Sequence, residues 1–273
     1  MIPRILLASA LLLRGATAAL AGGPHPSLPP PVIPECLGVN IHFTDPQPGE
    51  LEMLAAAGFK WVRMDFGWAG TERKRGEYDF STYDRLVANL DKHKIRAVFI
   101  LDYGNPLYAE PGDKHPFTSR ANTAEFRDAF VRWAVAAVSH FKGRGCLWEM
   151  WNEPNIAQFW KSPAGREDYI ALAKATGEAL RAAKLVGEKG EAFIGPATST
   201  IDQPFLEACF QAGLLEFWDA VSVHPYRQTE PETVEEEYRA VRLLIRKYAP
   251  KDKTIPIISG EWGYSTAWKD FDE

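Results

Sequence analysis

Cysteine is scarce: Cys36, Cys146 and Cys209 are the only three in 273 residues. An odd number leaves at least one thiol unpaired within the chain, and the spacing suits neither a disulfide framework nor a metal-binding cluster. The three therefore read as packing residues. No basic tract is present, and 31 Lys and Arg against 36 Asp and Glu give a net charge of −5. Nothing marks a nucleic-acid-binding surface or an anionic-membrane surface. No apolar run reaches the ~20 residues of a bilayer span, so no stable membrane insertion is expected. No Gly-x-Gly-x-x-Gly follows the first apolar run, which weighs against a dinucleotide fold.

What the chain does have is a globular balance, 46% hydrophobic and 25% charged, enough for one large domain with a sizeable core. Aromatics make up 12%, with nine Trp. That is core material which also suits the stacking of apolar sugar faces. Arg4, the apolar run Ile5 to Leu13 and the Ala19-Leu20-Ala21 site have the order of a signal peptide over residues 1–21. Export, and a secreted or periplasmic location, are expected. Residues 22–35 hold Pro24, Pro26, Pro29, Pro30, Pro31 and Pro34 and read as a stiff extended linker, so the folded domain is expected to begin near Cys36.

From there short apolar runs alternate with amphipathic stretches. Strands are expected at 37–43, 59–64, 95–101, 146–151, 192–196, 219–223 and 255–259. Helices are expected at 49–57, 81–93, 122–141, 166–185, 204–212 and 232–248. In 122–141, Phe126, Phe130, Trp133, Ala137 and Phe141 recur at steps of three and four. Ser81 reads as an N-cap with Asp84 near the positive helix end. Seven β-then-α units imply an α/β chain with a parallel sheet, and the count alone leaves both an open doubly wound sheet and a closed barrel possible. A (β/α)8 TIM barrel needs one more unit, and the dozen or so residues after the seventh strand cannot supply it. The expectation is residues 36–273 as a barrel with about seven units, incomplete at its C-terminal end.

In a barrel, chemistry gathers at the C-terminal strand ends. The fourth strand ends in Trp151-Asn152-Glu153-Pro154-Asn155. Pro154 is expected to hold Glu153 extended, and a strand-mouth Glu between Trp and Pro is partly desolvated, as suits a general acid. The seventh ends in Ser259-Gly260-Glu261-Trp262-Gly263. Two carboxylates so placed match what glycoside hydrolysis uses. Glu149 shares the strand parity of Glu153 but lies about 13 Å deeper at ~3.3 Å per residue, and so reads as structural. A metal-dependent barrel would want a His-x-His on the first strand, where only His42 stands, and no metal or organic cofactor is implied.

These two motifs resemble the signatures of glycoside hydrolase clan A, in detail closest to family 39 and then family 5. Gly38 to Phe43, Val62-Arg63-Met64-Asp65, Gly76 to Phe80 and His224-Pro225-Tyr226 fit the same pattern, and the resemblance covers about residues 36–268. It implies a retaining β-glycosidase acting on a β-linked glycan, with Glu153 as acid/base and Glu261 as nucleophile. It further implies that Asn152 meets the sugar 2-hydroxyl, Tyr226 hydrogen-bonds Glu261, His224 lines the reacting subsite and Arg63 favours the ionised nucleophile. His42, Trp151 and Trp262 are the remaining candidate sugar contacts, with Trp160 and Trp68 as weaker stacking candidates. The competing expectation is a sugar-binding barrel impaired in turnover, because the aromatic that clan A relatives carry on an eighth strand is missing.

Overall fold

The computed structural model describes residues 23–109, 123–161, 165–187 and 189–264. The expected signal peptide, the start of the expected linker and the last nine residues lie outside this set.

Seven parallel strands are hydrogen-bonded in sequence order. They are β1 (Gly38–Asn40), β2 (Trp61–Gly67), β3 (Arg96–Asp102), β4 (Leu147–Met150), β5 (Ala192–Ser199), β6 (Ala220–His224) and β7 (Ile257–Ser259). The helices between them are α1 (Glu50–Ala56), α2 (Trp68–Thr71), α3 (Ser81–Lys92), α4 (Ala124–His140), α5 (Arg166–Ala182), α6 (Gln203–Gln211) and α7 (Val234–Tyr248). The sheet curls into a partial (β/α)8 barrel. Among the described residues nothing pairs β1 with β7, and a cavity of about 580 Å³ lies at that seam, lined by both edges.

The strands are near-continuous apolar runs because both faces are covered. Outward residues such as Phe66, Phe99, Trp148, Phe193 and Val221 join the helices in one large core. Inward residues form a second cluster at the barrel floor: Trp61, Leu147, Ala192, Ile194 and Ala220, with Val98 and Ile258 against them. Leu28 belongs to this floor and is only 8% exposed. The Pro-rich stretch is therefore not a free linker over its described part. Its prolines leave the backbone little to gain from regular structure, but they carry one apolar plug into the barrel. His25 Nε2 to the Gly187 carbonyl (3.0 Å) and Trp61 Nε1 donating to the Glu35 carbonyl (3.0 Å) hold it there.

The expected elements all appear, with ends displaced by a few residues. Ser81 is not the cap of α3. Its amide instead bonds Asp79 Oδ1 (3.0 Å), so the shorter acid two residues earlier covers the open amide. All three cysteines are free, with Cys146 and Cys209 buried and Cys36 exposed. No described helix is long and apolar enough to cross a membrane.

Candidate active site

Glu153 stands just past β4, in the middle of the sheet. Its amide donates to the Ala197 carbonyl (2.9 Å), which a bulge between Pro196 and Thr198 on β5 turns toward it. Asn155 fixes the same turn to β5. Its Nδ2 donates to the Ser199 carbonyl (2.9 Å) and its Oδ1 accepts from the Ser199 amide (2.9 Å). Glu153 is not extended: its φ is 45°, and that of Trp151 is 64°. Proline crowds the right-handed helical region of the residue before it but does not force the extended one. Two non-glycine residues in the left-handed region within one turn are costly, and the turn is pinned by its bonds to β5.

Glu261 follows β7. Gly260 is required before it, because a Cβ there would meet Ser222 Oγ at 2.9 Å and His224 Nε2 at 3.1 Å. The Gly260 amide bonds the Val223 carbonyl (3.0 Å), which seats the turn on β6.

His224, fully buried at the end of β6, links the two carboxylates. Its Nδ1 is 3.0 Å from Glu153 Oε1 and 3.8 Å from Glu261 Oε1. An oxygen of each glutamate and a ring nitrogen of His224 all lie within 4.8 Å of one another. Arg63, inward on β2 and 6% exposed, forks three ways. Its Nη1 reaches Glu261 Oε1 (2.5 Å), its Nε Glu149 Oε2 (2.6 Å) and its Nη2 Asn152 Oδ1 (3.0 Å). Asn152 Nδ2 donates in turn to the Tyr103 hydroxyl (3.1 Å), so both ends of that amide are oriented. Tyr226 Oη donates to Glu261 Oε2 (3.1 Å).

The electrostatics separate the two glutamates' surroundings. Burial pushes the Glu261 carboxyl up, but the charges of His224 and Arg63 and the hydrogen bonds from Arg63 and Tyr226 outweigh it. The result is a carboxylate held below its ordinary pKa. Burial first, then the Glu261 charge, push the Tyr226 phenol up to about 12, so it stays a donor at any physiological pH. Nearby, Asp102 at the end of β3 is fully buried, and neither of its oxygens accepts a hydrogen bond from an ordinary donor. Burial, then the charge of Asp65, raise it well above the usual carboxylate range.

Residues 38–273 match the model of the cellulase family, glycosyl hydrolase family 5. The chain belongs to this family. It is 30% identical over 201 residues to a β-xylosidase of Geobacillus stearothermophilus, a match covering 62% of this chain and 38% of that protein. Among solved structures it resembles a family 39 glycoside hydrolase of Bacteroides cellulosilyticus WH2 (TM-score 0.67, 21% identity, covering 85% of this chain and 49% of that one). It also resembles a family 39 β-xylosidase of Caulobacter crescentus (TM-score 0.63, 22% identity, covering 90% and 56%). The chain thus spans about two fifths of the curated relative and about half of the solved ones.

For this family 5 member, the structure brings Glu153, Glu261, Asn152, Arg63, His224 and Tyr226 into one network. It leaves other candidates outside. Trp151 is 1% exposed and packs on Tyr103, Phe130 and Trp160, with its Nε1 on the Phe159 carbonyl, so it supports the loop and offers no face to a sugar. Trp160 and Trp68 are buried likewise. His42 lies exposed past the end of β1 and makes no hydrogen bond among the described residues. Trp262 is 37% exposed beside the cavity mouth and remains available for stacking. Glu149, structural by its distance from Glu153 along the strand, touches the network through Arg63, whose long side chain spans the gap. Tyr103 and Asp102 also carry no motif signal, because their role comes from strand register. The spacing of Glu153, His224 and Glu261 would admit a cation, but both Glu261 oxygens already accept from Arg63 and Tyr226.

Proposed function

We propose that this chain is the catalytic barrel of a retaining β-glycosidase that hydrolyses O-glycosidic bonds of a β-linked oligo- or polysaccharide. The observation that carries the proposal is the approach of the Glu153 and Glu261 carboxylates to within 4.8 Å. Retaining enzymes place their two carboxyl groups about 5–5.5 Å apart, whereas inverting enzymes leave about 6.5–9.5 Å for a water. In this reading a Glu261 oxygen attacks the anomeric carbon, and the bond to the leaving oxygen breaks as that oxygen takes the Glu153 proton. Water then attacks the same carbon and gives a proton to Glu153, and the ester bond to Glu261 breaks. Arg63 and Tyr226 keep the nucleophile ionised and aimed. His224, between the two, holds them in register. Asn152 has one amide hydrogen on Tyr103 and the other free for the sugar 2-hydroxyl, a contact that strengthens in the transition state. Trp262 offers a stacking face. Residues 1–21 direct export in the same reading.

The test is incubation with 2-deoxy-2-fluoro β-xylosyl, β-glucosyl and β-mannosyl fluorides, followed by peptide mass spectrometry. Labelling on Glu261 supports the mechanism, and the sugar that labels names the substrate class. The similarity to β-xylosidases makes the xylosyl probe the first to try.

A further inference from the structure

Glu149 is a buried charge with one purpose that packing does not explain. It faces inward on β4, is 1% exposed, and gives Oε2 to Arg63 Nε at 2.6 Å. A carboxylate and a guanidinium in a buried interior cost more to desolvate than a pair of well-packed apolar side chains of similar volume. The pair is also not isolated. The same guanidinium holds Glu261 at 2.5 Å and Asn152 at 3.0 Å. Two of its three acceptors, Glu149 and Asn152, come from β4 and its end, so Arg63 is anchored on one wall and presented to Glu261 across the barrel. The other ionisable groups around the pair are Asp65 and Asp102 at the ends of β2 and β3, His224 and Glu153, and the phenols of Tyr103, Tyr226 and, behind Glu149, Tyr169. Among the described residues no carboxylate but Glu149 and Glu261 bonds the guanidinium.

The charge balance across the reaction then gives Glu149 a task. Before attack, Arg63 faces two carboxylates. When a Glu261 oxygen bonds to the anomeric carbon, Glu261 becomes a neutral ester. Without Glu149 the guanidinium would be left buried and unpaired, a state more costly than the pair it replaces. We propose that Glu149 is a positioning residue, the standing counter-charge of Arg63, which keeps that cation neutralised while Glu261 is esterified. The proposal rests on the retaining reading above.

It has a signature that a structural role lacks, because removing the charge moves the two chemical steps in opposite directions. In Glu149→Gln the undivided charge of Arg63 falls on Glu261, so attack slows and the acid limb of the reaction moves to lower pH. The ester faces an unpaired cation, so its hydrolysis speeds up. The experiment follows labelling by the 2-deoxy-2-fluoro glycosyl fluoride panel, then reactivation of the labelled protein, for the wild-type chain and Glu149→Gln across pH. We expect labelling slower by about tenfold and reactivation faster by a few-fold, the size expected for one lost charge pair. If Glu149→Gln does not fold, Glu149→Asp carries the test. It keeps the charge one methylene short, and both rates must shift in the same two directions by less. Rates that fall together, or that stay at wild-type values with no movement of the acid limb, would overturn the proposal. A wild-type chain that no member of the panel labels overturns the retaining reading itself, and this proposal with it.

Discussion

The two glutamates sit on walls of different make. Glu153 follows β4, which is buried at every position and paired on both sides, and its amide is tied to β5. Glu261 follows β7, a strand of three partly exposed residues paired, among the described residues, only to β6 and bordering the open seam. Its side chain is 21% exposed against 10% for Glu153. One glutamate is placed by the sheet. The other is placed largely by side chains reaching across the barrel, Arg63 from β2 and Tyr226 from the loop after β6. In the proposed mechanism, an acid that must hold and release a proton benefits from a fixed, shielded turn, and a nucleophile benefits from cationic partners that keep it charged.

The largest effect that tests this contrast is loss of the proposed nucleophile. Glu261→Ala should reduce turnover by about 10⁵-fold while leaving the circular dichroism spectrum and Tm near wild type. Because β7 contributes little to the sheet around it, a variant that unfolds would show that the open wall is structurally central. Wild-type activity would remove Glu261 from the reaction. On the closed wall, Glu153→Ala should lower hydrolysis of a natural glycan by about 10³-fold. An aryl glycoside whose leaving group needs no proton should suffer far less, and azide should restore the second step. Equal losses on both substrates would sink the acid/base role.

A smaller effect bears on the walls themselves. Leu147 on β4 and Ile258 on β7 both line the barrel floor, but Leu147 is 1% exposed and Ile258 is only half-buried at the seam. Denaturant titration should give a loss of about 3–5 kcal/mol for Leu147→Ala and about 1–2 kcal/mol for Ile258→Ala. Similar values would mean that the seam is packed as tightly as the closed side. Leu28→Ala should fall between the two, at about 2–3 kcal/mol, because the Pro-rich stretch is part of the floor.

The closed wall was also the more legible of the two in the sequence. Strands buried on both faces are near-continuous apolar runs, so β3 and β4 stand out, and the Glu153 motif marks where β4 ends. What escaped was whatever depends on register or reach. Glu149 is one residue from Met150 in sequence, but only the inward direction of its side chain and the length of Arg63 tie it to Glu261. Trp151 carries the same letter as Trp262, and nothing local says that one is packed under the loop and the other half-open at the mouth. Leu28 is a single apolar residue among prolines, too little for any periodicity to register, yet it fills the floor. Glu153 took a left-handed backbone because its bond to Ala197 selected it. The Pro154 ring only narrowed the choice.

The smallest effect concerns Asp102, a fully buried acid on the closed side. Its folded pKa is raised, first by burial and then by Asp65. A raised acid binds more protons folded than unfolded, so its contribution to stability is fully present below the unfolded value of about 3.9 and is lost as pH rises toward the folded one. Asp102→Asn keeps the shape, can donate to Asp65 without a titrating proton, and removes that loss. Thermal melts should therefore show little difference from wild type near pH 4 and a gain in stability for the variant that grows as pH rises toward 8. The gain should come without change in which step limits turnover, since Asp102 touches neither glutamate. A variant less stable than wild type at pH 8 would mean that Asp102 is charged in the native state and held by a cation, placing a second electrostatic anchor on the wall that the sheet otherwise holds.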